Sequence, residues 1–443
     1  MLKLPCFLAV ACCVCAFAGD EVPPAAESEP ASAPTQAAQP EAREAAHVHE
    51  SPFDLRNKRL TGDWWGARPW LEDRGVEFNL GLTSIFQQNA RGGLRTRNAH
   101  RVSGSYDAEL TLDLGAMGLV KGGRLYALAE GSWDYGVSRY VGDLFGVNTD
   151  AAGPQEVQLT ELWYEQSFFD DRLRVRFGKL DLTIDFDTNA YANDETAQFL
   201  NGGLVNTPNI PFPDPGHGLQ LVATPCDWFY FAAGVADAEA DVRETGFRTA
   251  YHGANNVFSI YEFGLTPTFE SPWGRLPGNC RFGLWYDPQP KPVFFDDLGG
   301  RRRTVPLRRD DTGFYASFDQ AIFRENPTVE GDEQGLGMFF RYGYAHADVN
   351  AIANFWSLGA QYRGLIPTRD DDVLAFGVAQ GILSEQMRRT GADPHRETAL
   401  ELYYSLQLFP WLWISPDFQW ILRPGGENGR DAFVAGLRLQ MAF

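Results

Sequence analysis

In this 443-residue chain the residues able to do chemistry come two apart. Glu161, Trp163 and Glu165 alternate with Leu162 and Tyr164, Arg174 and Arg176 with Leu173, Val175 and Phe177, and Glu401 and Tyr403 with Leu400, Leu402 and Tyr404. On an extended strand successive side chains point to opposite faces, so each polar set projects from one face and each apolar set from the other. The same parity adds Arg281, Trp285, Arg341, Asp417, Gln419 and Arg438 to the polar face. These side chains are ionic donors, ionic acceptors and flat rings, which suit reversible hydrogen bonding and stacking. Bond-making chemistry has no comparable support. His100, His217, His252, His346 and His395 are scattered, and no nucleophile motif or metal-ligand spacing accompanies them. His47 and His49 stand in an acidic tail and read as solvated rather than as ligands. The expectation is no enzyme, no cofactor and no metal.

The elements that must position these residues are strands. From residue 76 on, alternation bounded by Gly, Pro, Asn and Asp predicts sixteen of them. They fall near 76–86, 106–115, 123–134, 157–168, 173–186, 217–224, 227–237, 257–267, 280–287, 312–323, 336–347, 354–364, 372–383, 398–409, 412–422 and 431–443. The last alternates without a miss and stops on Phe443. Several strands carry a second face too polar for a protein core: Ala108, Leu110, Leu112 and Leu114 alternate with Asp107, Glu109, Thr111 and Asp113, carboxylates that need water. A soluble sandwich would give the same pattern in any one strand. Sixteen such strands ending on an aromatic predict an all-β transmembrane antiparallel barrel with its apolar face turned to lipid. An even strand number puts both ends on one side. The connections alternate between short ones, such as 169–172 and 410–411, and long ones, such as 187–216 and 288–311, as the two rims of an outer-membrane barrel do. Strand 227–237 is apolar on both faces and parity does not orient it.

Ahead of the strands, Lys3 precedes an apolar run closing on Ala16-Phe17-Ala18, which reads as a signal peptide over 1–18 cleaved before Gly19. Residues 19–50 are Ala, Pro and Glu with almost nothing large and apolar, a disordered periplasmic linker. Residues 51–75, rich in Trp and charge, predict a short N-terminal helical segment leading into the barrel domain at 76–443. No run is long and apolar enough for a membrane helix. Aromatics make up 14% of the chain and Gly 45 residues, while mean hydropathy is only −0.29, because a barrel hides its hydrophobicity in alternation. After the leader only Cys226 and Cys280 remain; both sit beside predicted turns, so a disulfide stays open. A net charge of −20 argues against nucleic acid as a partner.

The chain resembles the carbohydrate-selective porins of the OprB type. The resemblance rests on Leu60-Thr61-Gly62-Asp63-Trp64-Trp65-Gly66-Ala67-Arg68 with Leu71 and Gly75, Asn89 with Gly92-Gly93, and Tyr140-Val141-Gly142-Asp143. It continues through Glu161-Leu162-Trp163 to Gln166, Arg176-Phe177-Gly178-Lys179, Phe199-Leu200-Asn201-Gly202, Gly364 to Pro367 with Arg369-Asp370-Asp371, and Gln419 through Pro424-Gly425-Gly426. It spans roughly Leu60 to Phe443. Trp65 stands where the family usually has glycine, and the acidic linker is not part of the shared domain. The resemblance implies a sixteen-stranded barrel of the bacterial outer membrane that lets sugars, glucose-like monosaccharides or small oligosaccharides, diffuse passively into the periplasm. A general or organic-acid diffusion porin of the same fold is the alternative.

On that reading Glu161, Trp163, Glu165, Arg174, Arg176, Arg281, Trp285, Arg341, Glu401, Tyr403, Asp417 and Arg438 line the pore and contact sugar, unless they merely pair and fix barrel shape. The Pro-rich segment 187–216 is a candidate constriction loop. The basic run Arg301-Arg302-Arg303 with Arg308-Arg309 is solvated or meets lipopolysaccharide phosphates. Phe443 is the expected signal for the barrel-assembly machinery, and outer-membrane lipid and lipopolysaccharide are the expected surroundings.

Overall fold

Backbone N–H and C=O groups facing lipid have no water to bond, so a sheet can cross a membrane only if its two edge strands pair with each other. That closure is present here. The sixteen wall strands are β1 (Val76–Arg91), β2 (His100–Asp113), β3 (Gly123–Trp133), β4 (Gln155–Phe168), β5 (Leu173–Leu180), β6 (Gly216–Cys226), β7 (Phe229–Asp237) and β8 (Val257–Leu265). They continue with β9 (Gly274–Asp287), β10 (Asp311–Arg324), β11 (Gly335–Ala345), β12 (Ile352–Arg363), β13 (Val373–Leu383), β14 (Arg396–Phe409), β15 (Leu412–Leu422) and β16 (Ala432–Ala442). Each pairs antiparallel with its neighbours in the chain, and β16 returns to β1 with Gln440 opposite Thr83 and Arg438 opposite Ile85. This computed structural model describes residues 54–244, 255–294, 306–329, 331–388 and 395–443. The leader 1–18, the linker 19–50 and Arg301 to Arg303 lie outside the described residues.

Parity fixes which face is which. Leu110, Leu162, Phe177, Phe340, Leu402 and Phe418 are exposed on the outside of the wall, an apolar belt suited to acyl chains. Cross-strand partners share a face, and the pairings Leu128↔Glu161, Tyr126↔Trp163 and Glu165↔Arg176 follow from one strand to the next on the inner side. Strand β7, undecided by alternation, is oriented by its neighbours. Ala232 pairs with Glu262, so Tyr230, Ala232, Gly234 and Ala236 face inward and Phe231 faces out.

Two boundaries differ from expectation. The strand predicted over 173–186 stops at Leu180, because Asp181 accepts from the Thr183 amide at 2.8 Å and caps a 3-10 turn at Leu182–Ile184. At Gly178, with φ of +141°, an added Cβ would lie 2.3 Å from the Leu162 carbonyl oxygen, so only glycine fits beside Trp163. The first hairpin extends further than alternation suggested, to Arg91 and from His100. The cysteines Cys226 and Cys280 are free thiols.

Ahead of β1, a helix at Ala67–Glu72 lies against the chain's other end. Arg68 donates to the carbonyls of Phe78 at 2.9 Å and Phe443 at 3.1 Å, with its guanidinium 4.2 Å from the Trp64 ring centre. Leu60 N–H donates to Ala442 O, and Phe443 N–H to Leu80 O, both at 2.9 Å.

Candidate functional site

The inside of the barrel is occupied by its own chain. The connection from β5 to β6, residues 181–215, turns inward, and Phe199, Leu200, Leu204 and Val205 are buried there. The wall accommodates them with inward glycines and alanines. A Cβ on Gly343 would lie 2.3 Å from Asn209 Oδ1 and from Thr207 Cγ2, and one on Gly377 would lie 2.8 Å from Leu204 Cδ2. Phe199 packs edge-on against Phe339 and Tyr403, with ring centres 5.7 and 5.1 Å away.

Charged wall residues fasten this loop. Arg341, fully buried, donates to Leu204 O at 3.1 Å, Asp187 O at 3.0 Å and Asn193 Oδ1 at 3.1 Å, and pairs with Asp187 Oδ1 at 3.6 Å. Asp187 in turn accepts from Thr207 N–H at 2.6 Å and Thr207 Oγ1 at 3.0 Å. Burial pushes the Asp187 carboxyl above its usual range, while Arg341 and the Thr207 donors pull it back. On the other flank Arg438, 2% exposed, donates to the carbonyls of Glu195, Ala197 and Gln198 at 2.7 to 3.0 Å. Glu401 accepts from the amides of Leu200 at 2.6 Å and Asn201 at 2.9 Å. Asp417 accepts from Gln419 at 3.0 Å, and Gln419 bonds both Asn201 and the Val147 carbonyl. Arg281 is paired with Asp319 at 2.6 Å.

All twelve candidate pore residues therefore sit on the inner face, but the structure divides them. Arg341, Glu401, Asp417 and Arg438 lie beneath or against the loop, and Tyr403 and Trp285 are buried with them. Trp163 has both faces covered, by Tyr126 stacked at 4.8 Å and by the Arg176 guanidinium at 4.1 Å. Its indole N–H donates to Glu161 Oε2 at 3.0 Å. Arg176 is bound to Glu165 at 2.9 Å and Asp185 at 2.5 Å. Only Arg174 keeps a side chain 37% exposed, 3.8 Å from Glu165.

Sequence reasoning missed the partners. Glu262 on β8 accepts from Tyr230 and Tyr315 hydroxyls at 2.6 and 2.7 Å and from the Asp187 amide at 3.2 Å. Glu397 on β14 accepts from the Leu144 and Gly425 amides at 2.9 and 2.7 Å, holding a second inward connection, 134–154. Both stand on strands where inward parity was readable. The inner face of β2 and β3 carries Asp107, Glu109, Tyr126 and Glu130, none fully buried. Beneath the loop, at the end of the barrel where β10 and β12 stop, a cavity of about 390 Å³ is lined by Tyr191, Gln198, Arg324, Glu333, Gln361 and Arg363 among others.

A closed antiparallel wall with an apolar exterior, a charged interior and a long connection anchored across its lumen defines a porin-type channel. The model of the carbohydrate-selective porins, OprB family, matches residues 97–443. This chain belongs to that family. Porin B of Pseudomonas aeruginosa is 24% identical over 439 residues, spanning 90% of this chain and 94% of that protein. The putative porin QuiX of Acinetobacter baylyi is 22% identical over 435 residues, 87% and 93% of the two chains. Among solved structures, the high-pH form of Pseudomonas putida OprB superposes with a TM-score of 0.77 at 22% identity, covering 88% of this chain and 100% of that one. At that identity the likeness speaks for the fold. The protein is a carbohydrate-selective porin, an outer-membrane barrel, and the family is a channel class rather than an enzyme class.

Proposed function

We propose that small sugars cross this barrel by passive diffusion through the gap left between the inner edge of loop 181–215 and the wall formed by β2 to β5. The observation that carries this reading is the loop's fixation. Arg341, Arg438 and Glu401 spend their hydrogen bonds on its backbone and side chains, so it is a fixed constriction and not a passing conformation of an outer loop. Solute contact then falls to the inner-face residues that keep exposure, Arg174 with Glu165 behind it, Tyr126, and the carboxylates of β2 and β3. Arg341, Glu401, Asp417, Arg438 and Tyr403 shape the opening from behind. Carboxylates at the gap disfavour organic acids, the alternative cargo.

Three further assignments belong to the same reading. Residues 1–18 export the chain, Phe443 marks it for the barrel-assembly machinery, and Arg308 with Arg309 at the outer rim meets lipopolysaccharide phosphates. The deciding experiment is single-channel conductance in planar bilayers with a sugar titration, alongside swelling of liposomes. Saturable block by glucose-sized sugars, with swelling faster for glucose than for an organic acid of similar size, is expected. Unsaturable passage governed by size alone would refute sugar selectivity.

A further inference from the structure

The wall that faces the loop's free edge is acidic beyond what a neutral solute needs. Asp107 on β2 stands directly opposite Glu130 on β3. Both project inward, where cross-strand Cβ atoms lie about 4.5–5.5 Å apart and like charges destabilise the pair. No side chain separates Asp107 from β1, because its partner there is Gly81. Asp107 is also within electrostatic reach of Asp150 and of Asp194 at the loop tip, and Glu130 and Glu161 are within reach of Asp181. Three separate pieces of chain thus direct carboxylates at one gap.

The nearby bases answer this charge only in part: Arg176 reaches Glu161 electrostatically, and Arg174 lies 3.8 Å from Glu165. Arg438 reaches Asp150 electrostatically, but its donors go to the carbonyls of Glu195, Ala197 and Gln198. Arg176 is committed to Glu165 and Asp185. Two buried oxygens in the group remain unpartnered. Asp150, 7% exposed, accepts Ser105 Oγ on Oδ1 at 2.5 Å and leaves Oδ2 without a hydrogen-bond partner among the described residues. Glu161, 1% exposed, uses Oε2 for Trp163 and leaves Oε1 without one. Facing carboxyls with buried acceptors behind them favour a cation that carries its own N–H or O–H donors, whose charge draws the carboxyls into their ionised form. A bare metal ion fits less well, since among the described residues no three such groups converge as metal ligands would.

We infer that the channel's preferred cargo is a cationic amino sugar, a hexose bearing a protonated amine, taken ahead of its neutral and acidic relatives. The ammonium supplies three donors and the charge that the gap lacks, and the ring hydroxyls supply further donors to the same carboxylates. The inference rests on the sugar-channel reading and names its substrate class.

The test is block of single-channel current near pH 7.5, comparing glucosamine, N-acetylglucosamine, glucose and glucuronate on the wild-type protein and on a variant carrying Asp107→Asn and Glu130→Gln. Glucosamine is expected to block at a concentration about fivefold lower than N-acetylglucosamine, the size of one partly screened charge pair. That preference should shrink in molar salt and vanish in the variant. Equal block by the amine and its N-acetyl form overturns the inference, as does a preference for potassium over chloride with no discrimination among the sugars. If the variant does not fold, the comparison of glucosamine with N-acetylglucosamine on the wild type decides alone. Failure of every neutral sugar to block, with block by glucosamine retained, would count against the general sugar reading and for this one.

Discussion

Replacing Arg341 with leucine isolates the loop anchor from the wall. The guanidinium makes three hydrogen bonds of 3.0 to 3.1 Å to loop atoms and one ion pair with Asp187, all out of water. Charge-assisted bonds are worth about 1.5–3 kcal/mol each in gross terms, but breaking a buried pair by removing one partner costs about 3–5 kcal/mol net, and that is the figure to use. It is charged against the loop and not the barrel, because every wall hydrogen bond survives and leucine suits the strand. At ~1.4 kcal/mol per decade the population with the loop detached near Asp187 should rise by about two to three and a half orders of magnitude. Single-channel records should then show frequent excursions to a larger conductance and weaker sugar block, while the folded, heat-modifiable form on gels stays intact. Adding Asp187→Asn removes the orphaned carboxylate and should restore part of the closed population. If Arg341→Leu leaves both the excursions and the sugar block at wild-type levels, the loop is held by its apolar contacts, and the anchoring account is wrong.

Arg174→Ala should fold normally and reduce sugar block, whereas Arg176→Ala should lower stability by about 3 kcal/mol because Glu165 and Asp185 lose their shared partner; equal effects in chemical denaturation would contradict this division. Burial raises the loop carboxyls Asp150 to about 6, against the Ser105 hydrogen bond and the Arg438 charge, and Glu195 to about 8, with Asp194, Asp150 and Asp181 adding to it. Raised folded pKa values mean that this stability is present in full at pH below about 4 and is lost as pH rises through these values; cation selectivity, read as reversal potential, should fall as pH is lowered from about 9 to about 5, and a flat profile would refute it. Arg68→Ala frees the Phe78 and Phe443 carbonyls and should cost about 1–3 kcal/mol, with deletion of Phe443 lowering the amount of inserted protein further; wild-type thermal stability in Arg68→Ala would show the contact is incidental.

The wall was legible in the sequence because a period of two survives everything else a barrel requires. Each of the sixteen predicted segments overlaps a strand, and the pairs such as Arg174 with Arg176 project inward as parity demanded. What parity could not say is what stands inside. An inward arginine reads the same whether it meets water, a sugar or a loop carbonyl, so Arg341, Glu401 and Arg438 gave no sign that they were anchors. A different signal was present. Gly337 and Gly343 on β11, Gly377 and Ala379 on β13 and Ala399 on β14 occupy inward positions, and small residues there mark a region where something bulky packs. The end of β5 misled for a related reason. Leu180, Leu182, Ile184 and Phe186 still alternate, but one residue out of phase with Leu173, Val175 and Phe177; Leu182 and Phe186 bury against Gly234 inside the barrel, and the phase slip together with the capping by Asp181 marks the break.

The meeting of the two chain ends has a consequence for how this wall could be rewired. Leu60, Arg68 and Leu80 bind the backbone at Ala442 and Phe443, so the seam between β16 and β1 is bonded as fully as any other pair of neighbours. The polymer is linear but the folded object is a ring, and the place where it is cut carries little mechanical meaning. A circular permutant joined across the seam and opened at Asp227-Trp228, between β6 and β7, would have the same wall and the same lumen. It would lack a terminal aromatic at the end of its last strand. Such a molecule separates the address proposed for Phe443 during delivery from the part it plays in the finished barrel.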